Sequence, residues 1–152
     1  MERAGDCEHA GGEKMKGAIT GLVAVHLIVT LWHGNSHQSL AIVLPAQKNA
    51  FVYLVIVLAP IIATMLIWTR FVIPGTWVFF GSMLGSFVFG VYHHYVLVSP
   101  DHIHHLPSGD GNARWAFVMS AGTLAALELA GAMYGAFCLR ELRASRAQTK
   151  GT

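Results

Sequence analysis

The stretch 16-KGAITGLVAVHLIVTLWHGNSHQSLAIVLPAQK-48 has no Lys, Arg, Asp or Glu between its two terminal lysines. An uncharged apolar run of about 18 residues or more is long enough to cross a bilayer as a helix. Three more such runs follow. No charge interrupts the chain between Lys48 and Arg70 or between Arg70 and Asp101, and only Glu128 lies between Arg114 and Arg140. The whole chain of 152 residues is 54% hydrophobic and 12% charged, with a mean hydropathy of +0.51. Soluble domains carry about 25% charged residues. These observations predict an all-α integral membrane protein, a four-helix bundle with up-down topology.

The expected organisation is a polar, disordered tail over 1–15, a four-helix domain over 16–140 and a basic, fraying tail over 141–152. The helices are expected at about 16–37, 50–68, 76–98 and 114–139. The apolar run of helix one continues to Leu44, so this helix protrudes, tilts or breaks at Gly34-Asn35. Pro60 falls inside helix two and is expected to kink it. Gly81-xxx-Gly85, Ser86-xxx-Gly90 and Gly131-xxx-Gly135 are small-residue spacings that let helices approach closely in lipid.

Charge placement predicts orientation. An even number of spans puts both termini on one side, with Arg3, Lys14, Lys16, Arg70, Arg140, Arg143, Arg146 and Lys150. The opposite side holds only Lys48 and Arg114. Both termini are therefore expected in the cytoplasm, in a plasma or inner membrane. Loops 38–50 and 99–113 then face the periplasm or extracellular space. The first apolar run follows a polar lead and has no A-x-A closure, so it reads as a retained helix and not a cleaved signal. The basic residues form no stripe, which argues against a nucleic-acid partner. The bilayer is the expected partner, with a homo-oligomer or a larger membrane complex also open.

The histidines make the chain unusual. Eight of the nine lie in 26-HLIVTLWHGNSH-37 or 92-YHHYVLVSPDHIHH-105. Counting from the expected entry points Gly17 and Trp77, His33 and His93 lie at equal depth near the outer boundary. His37 and His94 are beside them, and Asp101, His102, His104 and His105 lie just above. At 100° per residue, His26, Thr30, His33 and His37 share one face of helix one. Polar residues on a spanning helix face the bundle interior. Glu128 and His26 fall near the mid-plane, where an ionised carboxylate costs about 2.5–3.5 kcal/mol on insertion scales. They form a candidate proton-coupled pair, although a purely structural pair fits the same positions.

Imidazole and carboxylate ligands without thiolate suit copper, zinc or iron. The expected core of a metal site is His33, His37, His93 and His94. Asp101, His102, His104 and His105 would be entry ligands or a lid, unless they are ordinary loop residues. Met119 at similar depth is a candidate soft ligand or a core residue. Copper is the first expectation, then zinc or iron. With one buried Glu and no Glu-x-x-His, a ferritin-like di-iron centre is disfavoured. Haem b held by His33 and His93 is an alternative, although it leaves the other histidines unused. Further alternatives are a proton or metal transporter, to which Thr20, Thr64 and Ser82 offer a poor inner path, and an accessory subunit. Cys7 and Cys138 lack a CxxC pattern and read as free thiols, with Cys7-Glu8-His9 at most a weak ligand set. No P-loop, dinucleotide-binding, G-x-S-x-G or HExxH motif is present. The function expected is therefore metal handling, or metal-dependent redox or hydrolytic chemistry, at the outer end of the bundle.

Overall fold

A computed structural model describes the backbone of residues 2–150 and the side chains of residues 12–148. Helix one spans Glu2–Ser39, and it is long and apolar enough to cross a membrane over Gly12–Ser39. Helix two spans Ala46–Ile67, helix three Val72–Val96 and helix four Gly111–Lys150, with its membrane-length portion Gly111–Gln148. Among the described residues all regular structure is helical. Four apolar helices of this length are compatible with an integral membrane protein.

Helix one is continuous through Gly34-Asn35 and ends as the hydrogen-bond pattern closes around His37. The Ile42 amide donates to the His37 carbonyl at 2.9 Å, and the Ala41 amide to the Gln38 carbonyl at 3.0 Å. This is a Schellman-type stop. Ala41 takes the left-handed position usually given to glycine, with φ 51°. The helix begins earlier than the sequence suggests, at Glu2, and a Glu13–Lys16 ion pair at 3.0 Å bridges one turn of it. The side chains of Cys7, Glu8 and His9 fall outside the described set. Helix four likewise continues through the basic tail to Lys150. Arg143 lies over the Trp77 ring at 5.1 Å from its centroid, a cation–π contact that ties this extension to helix three. At the other end, Asp110 caps helix four, its carboxylate accepting the Asn112 amide at 3.2 Å.

Pro60 does act on helix two. A proline lacks an N–H and its ring crowds the carbonyl four residues back. The backbone widens into a π-helix over Val52–Leu58 before returning to α geometry at Ala59. Helix three has a second π segment, Tyr92–Val96, closed by the Leu97 amide on the Tyr92 carbonyl at 2.7 Å. Such segments alter which way side chains point within one turn, and they often mark functional sites.

Helix four packs on helix three, helix three on helix two, and helix one on helix four. Helix one also meets helix two along Ala59–Ile67, but parts from the Ala46–Leu58 portion. Below that divergence the bundle is filled by Ile19, Ile67, Phe79, Met83 and Ala132. Between lipid-dissolved helices, packing follows from how closely backbones approach. A Cβ at Gly135 would sit 3.1 Å from the Phe80 Cβ, and one at Gly131 only 2.9 Å from the Met83 Cγ. Gly131-xxx-Gly135 is thus a true contact, whereas Gly81 faces open space. The tightest site is Gly75 in the first turn of helix three, where a Cβ would meet the Ile67 amide nitrogen at 2.9 Å.

Gly75→Ala is expected to destabilise the bundle by about 1–3 kcal/mol, the usual cost of overpacking, while Gly81→Ala is neutral or stabilising. Thermal unfolding of both variants in detergent checks this, and equal stability of the two would contradict the packing account.

Candidate metal centre

Three histidines converge between helices one, three and four. The His33 Nε2 lies 3.2 Å from the His94 Nε2 and 3.1 Å from the His37 Nε2. His33 and His37 are one helical turn apart on helix one. His94 reaches them from the π segment of helix three. Among the described residues, these three form a group able to offer one nitrogen each to a common ion.

The partners on the far side of each ring decide what the facing nitrogens carry. The His94 Nδ1 lies 2.9 Å from the backbone carbonyl of Asp101, which can only accept, so this nitrogen donates its proton. The His33 Nδ1 lies 2.8 Å from the Ser120 hydroxyl. That hydroxyl has its single proton on the Ala116 carbonyl at 2.6 Å, so its oxygen accepts from His33. A neutral ring that donates through Nδ1 presents a bare Nε2 lone pair, and here both Nε2 atoms face the same point. Two lone pairs at 3.2 Å repel unless a cation, either a proton or a metal ion, lies between them. Nitrogens bound to one tetrahedral zinc at about 2.0–2.1 Å are about 3.3–3.4 Å apart, close to the spacing found here. The Nδ1 hydrogen bonds to Ser120 and Asp101 are the outer support that orients ligating imidazoles in metalloproteins.

Asp101 supplies negative charge at the edge of the group. Its Oδ1 lies 3.4 Å from both the His37 Nε2 and the His94 Nδ1, and makes no regular hydrogen bond. Burial pushes this carboxyl up, but the neighbouring imidazoles, His94 first and then His37 and His33, outweigh it. Asp101 is held below the usual carboxylate range. The loop bearing it is tied down where the Ile103 amide donates to the His94 carbonyl at 3.0 Å. Leu106 packs with Leu40 and Phe117 beneath it.

The sequence placed more histidines here than the structure brings together. His93 points away from the group. Its Nδ1 donates to the Phe89 carbonyl at 2.9 Å, and its ring lies 4.2 Å from that of Phe89, in a separate groove with Phe51 and Gly85. Neighbours on a helix point roughly 100° apart, and here His94 faces inward and His93 aside. Ligation of haem by His33 and His93 finds no support, because these rings line different pockets. His102, His104 and His105 form their own loop cluster, in which the His104 amide donates to the His102 Nδ1 at 3.1 Å. Met119 is 45% exposed on the lipid-facing side, whereas Ser120 is fully buried and holds His33. Ser120 was missed in the sequence. Its one signal is a hydroxyl in an apolar span, one residue from the methionine that depth alone selected.

A second polar layer lies deeper. The His26 Nε2 and Glu128 Oε1 share a hydrogen bond of 3.2 Å, and both side chains are buried. The helical spacing that put His26, Thr30, His33 and His37 on one face is realised: Thr30, His33 and His37 all line a cavity of about 600 Å³ that also reaches His94 and Glu128. Thr20, Thr64 and Ser82 instead bond to carbonyls of their own helices. Cys138 is a buried free thiol.

Ser120→Ala removes the acceptor that fixes the His33 ring, and is expected to weaken metal affinity about 10–100-fold, read by competition with a chromophoric chelator. Unchanged affinity would show that Ser120 does not set this ring. Because the folded pKa of Asp101 lies below its unfolded value of about 3.9, its stabilisation of the 97–110 loop is complete above that range and fades as pH falls through the lower folded value. Proteolysis of the loop should rise on acidification in the native chain, and should be already raised and less pH-sensitive in Asp101→Asn. Comparison of the chain with family models, curated proteins and solved structures finds no match, so its function is read from this geometry.

Proposed function

We propose that this protein is a membrane metal protein in which His33, His37 and His94 hold one transition-metal ion, with Asp101 at the edge of the site. The observation that carries the reading is the pair of Nε2 atoms facing each other at 3.2 Å, each ring fixed by a partner on its far side. Neutral imidazole with one carboxylate suits copper first, then zinc or iron. A site with three protein nitrogens and a weakly placed carboxylate leaves a position for an exogenous ligand, the arrangement of catalytic metal sites. The chemistry proposed is metal-dependent redox or hydrolytic turnover. The Lys and Arg bias puts the site at the periplasmic or extracellular end.

A second reading rests on the same confrontation of lone pairs. One proton shared by the trio would satisfy it, and with His26–Glu128 below would form a proton relay. Conduction across the bilayer has little support. The apolar packing of Ile19, Phe79 and Met83 fills the bundle beyond Glu128.

Metal analysis of detergent-purified protein from a copper-, zinc- and iron-supplemented host separates the readings. The metal reading predicts about one ion per chain. His33→Ala and His94→Ala lose it, and His93→Ala retains it. Metal kept by both of the first two variants would overturn the assignment. Well-folded protein without metal would favour the relay.

A further inference from the structure

The cavity beneath the three histidines has two features that a buried metal site does not need. The first is a side opening. Helix one and the Ala46–Leu58 part of helix two diverge. The cavity reaches the surface between them, for Leu31, Val43 and Tyr53 line it and yet are 75%, 88% and 67% exposed. Leu31 and Tyr53 lie inside the membrane-length spans, so this gap opens at the level of the lipid. The second is an unused polar group in the wall. Ser86 is 1% exposed and its Oγ has no hydrogen-bond partner, although a serine in a helix ordinarily bonds to a carbonyl of the preceding turn.

The layout gives these features a direction. Ser86 is two turns before His94 on helix three, as His26 is two turns before His33 on helix one. Ser86, His26 and Glu128 therefore form one layer, about 10 Å from the trio at ~1.5 Å per residue. Apolar walls from Ile56, Phe89 and Leu124 join the two layers. Gly90 lines the passage between the layers, beside Glu128. A volume of about 600 Å³ lies within the size range of small-molecule sites. An uncharged ligand suits apolar walls and lipid-level entry, and a buried hydroxyl without a partner suits a hydroxyl or carbonyl on that ligand.

We infer that the cavity binds an uncharged, membrane-dissolved alcohol or ketone with an apolar body, which enters sideways between helices one and two. Its oxygen bonds to Ser86, and its body lies along the wall that leads to the histidine group. The inference rests on the metal reading only for what the ligand is brought next to; the binding itself is independent of it.

The test uses the full chain in phosphatidylcholine vesicles with two photoactivatable probes, a diazirine-bearing dodecanol and the matching dodecane. Adducts are mapped by mass spectrometry, and metal content is measured on the same samples. Dodecanol adducts are expected at Ile56 and Leu124, and excess unlabelled dodecanol should suppress them. Gly34→Leu adds an apolar side chain at the cavity wall, where a Cβ meets nothing within 4 Å. It should abolish these adducts and leave metal content unchanged. Ser86→Ala should weaken dodecanol labelling about three- to tenfold, the loss of one hydrogen bond, and leave dodecane labelling unaltered. Adducts confined to lipid-facing residues such as Ile28 and Met133, or unaffected by Gly34→Leu, would overturn the inference even if metal is present. Equal loss of both probes in Ser86→Ala would overturn the hydrogen-bond assignment. Cavity adducts in protein that binds no metal would overturn the metal reading alone.

Discussion

The facing imidazoles of His33 and His94 set the demands on the rest of the bundle. Each is turned by a bond on its outer nitrogen, one to Ser120 on helix four and one to the Asp101 carbonyl in the loop after helix three. Three helices and a loop must therefore be in register within a few tenths of an ångström for the two inner nitrogens to meet. The local backbone serves that requirement. His94 reaches inward from the π segment Tyr92–Val96, and the stop at Ala41 ends helix one just beyond His37. Ala41 holds a left-handed conformation that costs a non-glycine residue about 1–2 kcal/mol. The loop fold around Asp101 and Leu106 closes over the result.

The bundle divides into two halves of different character. One is closely packed, with Gly131 and Gly135 against Met83 and Phe80, and Gly75 at the start of helix three locked against Ile67. The other is splayed, and holds the polar layers and the cavity. Pro60 stands at the boundary between them. Its π segment changes the course of helix two where that helix leaves helix one. Rigidity at one end and an opening at the other suit a site reached from the bilayer, whose ligands are nonetheless held firmly.

The fold was legible in the sequence because four uncharged runs leave a chain few alternatives. Much of the site's grouping was legible too: counting residues from the expected membrane entry brought His33 and His93 to one level with His37 and His94 beside them, and His26 near Glu128, and of these His33, His37 and His94 meet, as do His26 and Glu128. The direction of His93 was not. Depth alone ranks His93 and His94 alike, and takes no account of the roughly 100° between neighbours on a helix. Adjacent histidines then appear equivalent when they face different pockets. Ser120 was hidden for a related reason. Depth ranks Met119 and Ser120 alike, and only the rotation of helix four, set by packing against helices one and three, puts the hydroxyl inside and the thioether outside. The cavity had no sequence signal beyond Pro60, because it arises from the divergence of two helices and not from any residue pattern.

X-ray absorption at the edge of the bound metal reads the coordination shell directly. Three imidazole nitrogens at about 2.0–2.1 Å, with the outer-ring scattering of histidine and a further oxygen, are the result this account predicts. A sulfur shell, or fewer than three imidazoles, would contradict the assignment of His33, His37 and His94 as the metal-binding group.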